Sequence, residues 1–264
     1  MLANARMYSV TPAAAAAWRA VIGWAAGRAG VPVEFVAHEP PKLLSDLWAR
    51  SDLGIVQMCG LPASLRCPAP TILAAPLPSL PRYAGRAVYM SDLAVRADSK
   101  FQTLEDSFGG VAGYTLKDSQ SGYFAFRSLL LTKYPRAKYR KIVGGLMNAR
   151  GIVNALMAGD IDVGPLDGYV WDLIRAGDPA FAAQVRIVVA TDPTPMPPLI
   201  ATAPLKKEDI DRIRKAFLQV HEERSLDEAR KALLVERFVV PDITVYDETR
   251  RRAERVDKEC EPWP

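Results

Sequence analysis

Three short runs carry side chains whose types and spacing suit the capture of a small anion. The first is Asp118-Ser119-Gln120-Ser121-Gly122-Tyr123, between a predicted strand and a predicted helix. Backbone N–H groups at a helix start, serine hydroxyls and a glycine that admits close approach together make an anion site. Ser119 or Ser121 serving only as a helix cap fits the same pattern. The second run is Leu166-Asp167-Gly168-Tyr169-Val170-Trp171, where Asp167 ends a buried strand just before a helix. A carboxylate there can accept from a protonated ligand or an ammonium group, or can cap the helix. The third is Gln57-Met58-Cys59-Gly60, also after a strand. Gln57 offers both a donor and an acceptor. Cys59 is either a nucleophile or a packed thiol, and neither His38 nor His221 lies near it in sequence. Packing is the reading preferred here. A Cys59–Cys67 disulfide in an oxidising compartment stays open.

The elements that must position these runs follow from periodicity and punctuation. Thr11-Pro12 starts a helix carrying Trp18, Val21, Ile22 and Ala25. Val31–Ala37 alternates as a strand, Pro41–Ala49 reads as a short helix, Asp52–Gln57 as a buried strand and Met58–Pro62 as a loop. Thr71–Ala75 and a long Arg86–Arg96 follow as strands. The middle block alternates strands near Val111, Ile161 and Val185 with helices at Tyr123–Tyr134, Gly151–Met157 and Tyr169–Ala176. Pro195–Ala201 reads as an extended crossover. Asp209–Val220 is an amphipathic helix, Ser225 and Glu228 form a capping box, and the charged tail from Tyr246 to Lys258 reads as an exposed helix.

This alternation predicts an α/β chain with two mixed, mostly parallel sheets and a ligand cleft between them. The expected division is residues 1–95 with 196–264 as one lobe and 96–195 as the other. The 264 residues are 49% hydrophobic and 24% charged, with a net charge of +4. That composition excludes disordered, collagen-like and coiled-coil chains and gives no ground for nucleic-acid binding. No run approaches the ~18 apolar residues of a membrane span. HExxH, paired CxxC, P-loop, GxGxxG and GxSxG patterns are all missing, so neither metal nor cofactor is expected.

Taken in order, these pieces resemble the substrate-binding components of phosphate/phosphonate-type ABC transporters. The resemblance runs from about Arg6 to Leu205. It rests on Met7-Tyr8 ending a first strand, on Trp48 followed by Asp52–Gln57 and Cys59-Gly60-Leu61-Pro62, and on the crossover Ser91–Ser99 with Thr103–Asp106 after it. It continues through Asp118–Tyr123, Gly159–Asp167 and the return crossover Pro195–Ala201. It implies the two-lobed periplasmic-binding fold of the second type, hinged near Arg96 and Leu199. It also implies a ligand held by Tyr8, Gln57, Met58, Cys59, Ser119, Gln120, Ser121, Gly122, Tyr123, Asn148 and Asp167. An ABC permease would be the partner, and the binding protein a monomer. One departure stands out. The family's Ser-His pair before the Gly-acidic strand is replaced by Met147-Asn148, which removes charge-assisted bonds and favours a less charged oxyanion or an organic acid.

MLANARMYSV has no secretory-signal pattern. The expected compartment is therefore periplasmic if a leader was removed or missed, and cytoplasmic as written. Two alternatives stay open at this point. One is a cytosolic enzyme resembling menaquinone-pathway enzymes, with Asp118 and Asp167 as its acid–base candidates. The other is a ligand sensor docking through its basic tail.

Overall fold

Thr11 caps the first long helix, Pro12–Arg28, by accepting from the Ala14 N–H, with Pro12 at the first helical position. The helix buries Trp18, Val21, Ile22 and Ala25. The computed structural model describes residues 1–39 and 41–264. It divides into two compact units, Met1–Val88 with Pro195–Tyr246, and Tyr89–Thr194 with Asp247–Pro264.

Unit 1 is built on a six-stranded sheet ordered Val235–Val239, Thr71–Pro78, Leu199–Ala201, Leu53–Gln57, Leu2–Asn4 and Glu34–Phe35. Leu2–Asn4 runs parallel to both of its neighbours. The return strand Leu199–Ala201 is antiparallel to the strands on either side of it, which makes the sheet mixed. Every residue of Leu53–Gln57 is buried, as an uninterrupted apolar run predicts. The strand Thr71–Pro78 extends three residues past its predicted end and includes Pro76 and Pro78. Past Ala75 it has lost its Leu199–Ala201 neighbour and pairs only with Val235–Val239, so an edge is open to residues without an N–H.

Unit 2 centres on Ser91–Arg96, which pairs antiparallel with both Val185–Ala190 and Gly164–Asp167. Val111–Gly113 lies parallel to Lys141–Val143 and bridges Val163 through Ala112. Its core gathers Leu93, Val95, Leu104, Ala112, Phe126, Leu129 and Val163.

Several expectations need correction. Tyr89–Val95, expected with the first lobe, lies in unit 2, because Ser91–Arg96 is the middle strand of that unit's sheet. Asp247–Pro264 also belongs to unit 2. Its helix, Asp247–Glu259, is not fully exposed but buries Thr249, Ala253 and Val256 on one stripe. Tyr8 ends a 3-10 turn, Arg6–Tyr8, rather than a strand. The loop expected at Met58–Pro62 becomes a helix at Gly60–Leu65. The capping box fails. Ser225 sits in a 3-10 turn and donates to Glu223, while Glu228 pairs with Lys231. No disulfide joins the three cysteines among the described residues, and Cys59 is buried while Cys67 is exposed.

Candidate functional site

In unit 1 the fully buried strand Leu53–Gln57 delivers Gln57 at its C-terminal end, 1% exposed. The Gln57 backbone carbonyl accepts from the Trp48 indole N–H at 2.9 Å. Its side-chain Oε1 accepts from the Tyr8 N–H at 3.4 Å, whereas Nε2 has no partner among the described residues. An unpaired buried amide costs stability unless an acceptor reaches it. Tyr8 is itself buried and stacks on Trp18. Met58 donates its N–H to the Pro198 carbonyl at 3.0 Å, which fixes the start of the loop but commits that amide. Cys59 is 7% exposed and its carbonyl accepts from the Ala63 N–H. It lies in an apolar cluster with Trp48, Met58 and Tyr246, and this is the packed-thiol reading. Gly60 is required where it stands, because a Cβ there would come 2.8 Å from the Tyr246 ring.

In unit 2, Ser119 is the cap of a π turn, Gln120–Phe124, that leads into the helix Ala125–Lys133. Its Oγ accepts from the Gly122 N–H at 2.9 Å, and its carbonyl accepts from Tyr123 at 3.1 Å and Phe124 at 3.2 Å. The Gly122 and Tyr123 amides, expected to face a ligand, are therefore engaged within the turn. Gln120 and Ser121 are its first two residues, the positions whose N–H groups have no acceptor inside a helix. Gly122 is dictated by Thr115. The Thr115 N–H donates to the Gly122 carbonyl at 3.1 Å, and a Cβ on residue 122 would lie 1.8 Å from Thr115 Oγ1. Close approach does explain this glycine, but the approaching group is Thr115.

Ser121 and Asp167, 46 residues apart, meet here. The Ser121 hydroxyl donates to Asp167 Oδ2 at 3.4 Å. Asp167 Oδ1 accepts from the Tyr169 and Val170 N–H groups, each at 3.0 Å, so the residue also caps Gly168–Gly177. The two roles proposed for Asp167 use different oxygens. Burial pushes its carboxyl up to about 7, and the nearby Asp92 charge adds to this, against the downward pull of its N–H and hydroxyl donors. Gln120 is 4% exposed and its Oε1 has no partner among the described residues.

Asn148 caps the helix Ala149–Ala158, its Oδ1 accepting from the Gly151 N–H at 3.1 Å. Met147 precedes it at φ 66° and is 39% exposed. Asn148 thus has its side-chain oxygen committed and only its Nδ2 left to offer. Asp118 is exposed. Sequence reasoning missed Thr115 and Asp92, which shape the turn and the carboxyl. A threonine or aspartate far along the chain carries no local signal of such a role. Among the described residues no group of three His, Cys, Asp or Glu side chains can hold a metal, and no helix is long and apolar enough to cross a membrane.

The model of the family described as "ABC transporter, phosphonate, periplasmic substrate-binding protein" matches residues 12–246. No curated protein matches the chain. Among solved structures, it is similar to a binding-protein component of an ABC phosphonate transporter from Pseudomonas aeruginosa. That match has a TM-score of 0.79 and 16% identity over 97% of this chain and 87% of that one. PhnD1 from Prochlorococcus marinus, in complex with methylphosphonate, matches at TM-score 0.78 and 13% identity over 97% of each chain. A Xanthomonas citri protein bound to ATP matches at 0.66 and 18%, over 98% of each. At these identities the likeness establishes the fold, α/β in the manner of the type II periplasmic binding proteins.

Proposed function

We propose a ligand and a mode of capture for this chain, which belongs to the family of periplasmic substrate-binding proteins of phosphonate ABC transporters. It is accordingly a binding component and not an enzyme, and works with a ligand and a permease. The ligand we assign is a small tetrahedral oxyanion, phosphonate- or phosphate-like, carrying one net charge and at least one hydrogen donor.

The observation that carries this reading is the Ser121–Asp167 pair beside the Ser119-capped turn. The turn offers Gln120 and Ser121 N–H groups to an anion. Asp167, with its carboxyl pushed up to about 7, holds a proton for an oxyanion near neutrality or accepts one from the ligand's own hydroxyl. A dianion would instead meet a carboxylate without the histidine of the family's Ser-His pair, where Met147-Asn148 stand here. Arg127, the cation packed on Tyr123, is committed to Asp257. Within unit 1, the unpaired Gln57 Nε2 is a separate candidate donor for an oxyanion oxygen.

Capture requires no bond making. The ligand selects the conformation that it binds best. The protein is proposed to act as a monomer in the periplasm. The test is a thermal-shift screen of the purified chain with phosphate, phosphite, methylphosphonate, sulfate and small carboxylates. A ligand at 100 times its Kd adds about 2.7 kcal/mol, and the reading predicts a shift with a phosphorus oxyanion that Ser121→Ala reduces. A shift with carboxylates alone would reject it.

A further inference from the structure

The segment Asp257–Pro264 lies outside the residues matched by the family model, 12–246, yet it is fastened to the anion-binding turn of unit 2. Arg127 is the anchor. Its side chain is 1% exposed, with Nη1 donating to Asp257 Oδ1 at 2.8 Å and Nη2 to the Cys260 and Glu261 carbonyls at 3.2 Å. Its guanidinium lies over the Tyr123 ring, 4.7 Å from the centroid. From another side the Trp263 ring meets Tyr123 edge to face at 5.9 Å, and the Trp263 backbone N–H donates to the Tyr123 hydroxyl at 3.2 Å. Tyr114 packs against both rings, and its hydroxyl donates to the Pro264 carbonyl. Phe126 completes the cluster 5.3 Å from Trp263.

Tyr123 is therefore held by a cation, three rings and a hydrogen bond, and apart from the ring of its neighbour Phe124 each of these contacts is made by, or pinned by, residues 257–264 or Tyr114. It sits inside the π turn Gln120–Phe124. A π turn is a rare backbone geometry, frequent at functional positions, and such geometries persist where surrounding structure over-determines them. We infer that residues 257–264 are a positioning element for the ligand site. By clamping Tyr123 they hold the turn in the geometry that presents the Gln120 and Ser121 N–H groups and the Ser121 hydroxyl. Trp263 is the positioning residue, and a pre-organised turn saves the ligand the cost of ordering it. This inference rests on the reading of the turn as part of the ligand site.

The test is hydrogen–deuterium exchange on the ligand-free full chain, comparing wild type with Trp263→Ala and Trp263→Phe, followed by methylphosphonate titration of each. The inference predicts that Trp263→Ala speeds exchange of Ser119–Phe124 by about tenfold. Gly164–Asp167 and Leu53–Gln57 should stay unchanged, and Trp263→Phe should restore most of the protection. The Kd for methylphosphonate should rise about fivefold in Trp263→Ala. Unchanged exchange in the turn overturns the inference, as does faster exchange throughout unit 2, which would make Trp263 merely structural. Faster exchange with an unaltered Kd overturns it too. If wild type does not bind methylphosphonate, the ligand assignment fails separately, and the exchange data still decide whether Trp263 holds the turn.

Discussion

The Ser121 hydroxyl donates to Asp167 Oδ2 at 3.4 Å, while the opposite oxygen of Asp167 is tied to the start of the next helix by two N–H groups. One oxygen is structural and the other faces a single long bond that a better donor can replace. On the proposed reading of the site, this division lets a helix cap double as a ligand contact.

The raised carboxyl gives a pH signature. Asp167 titrates near 7 in the folded chain against an ordinary value of 3.8. The folded protein therefore holds a proton that the unfolded chain releases. The stabilisation from this group is full below about pH 4 and is lost as pH rises through about 7. Asp167→Asn should flatten that part of the stability–pH curve, measured by urea unfolding from pH 4 to 8. Parallel curves for the two proteins would show that Asp167 ionises normally.

Oxyanion affinity should share this dependence. Neutral Asp167 does not repel an anion, so binding should weaken as pH rises through about 7. Titrating wild type and Asp167→Asn with the same ligand cancels the ligand's own ionisation. The ratio of their Kd values should change with pH, and a constant ratio would remove Asp167 from the site.

Gln57→Leu separates binding from folding. The Nε2 group is already unpaired and the Oε1 contact to Tyr8 is long, at 3.4 Å. Thermal stability should hold within about 1 kcal/mol, because little net hydrogen bonding is lost. Oxyanion affinity should fall at least fivefold by calorimetry. Retained affinity with reduced stability would make Gln57 a core residue only.

Gly122 tests the geometry of the turn. A Cβ at 1.8 Å from Thr115 Oγ1 cannot be accommodated without movement, so Gly122→Ala should cost about 1–3 kcal/mol, the usual range for overpacking. Adding Thr115→Ala should recover part of the loss in denaturant unfolding. Additive losses would show that Thr115 is not the obstacle.

What local chemistry encodes was legible in the sequence. The Thr11-Pro12 helix start, the buried strand ending at Gln57 and the Ser119-capped turn all rest on neighbours a few residues apart. The end of the Asp167 strand just before a helix was likewise legible. Contacts between distant residues were not legible. Thr115 against Gly122, and Trp263 and Arg127 around Tyr123, depend on tertiary packing that no spacing announces. The charged tail read as exposed because Thr249, Ala253 and Val256 make only a thin buried stripe among its arginines and glutamates. The capping box failed because Glu223 captured Ser225 first.

The most direct measurement is calorimetric titration of the wild-type chain and Ser121→Ala with phosphite, methylphosphonate, phosphate and sulfate. One saturable site for a phosphorus oxyanion is predicted, weakened in Ser121→Ala by about 1.5–3 kcal/mol, the value of a hydrogen bond to a charged group. Binding of equal strength in both proteins, or no binding of any oxyanion by wild type, would contradict the assignment of the Ser119–Tyr123 turn as an anion site.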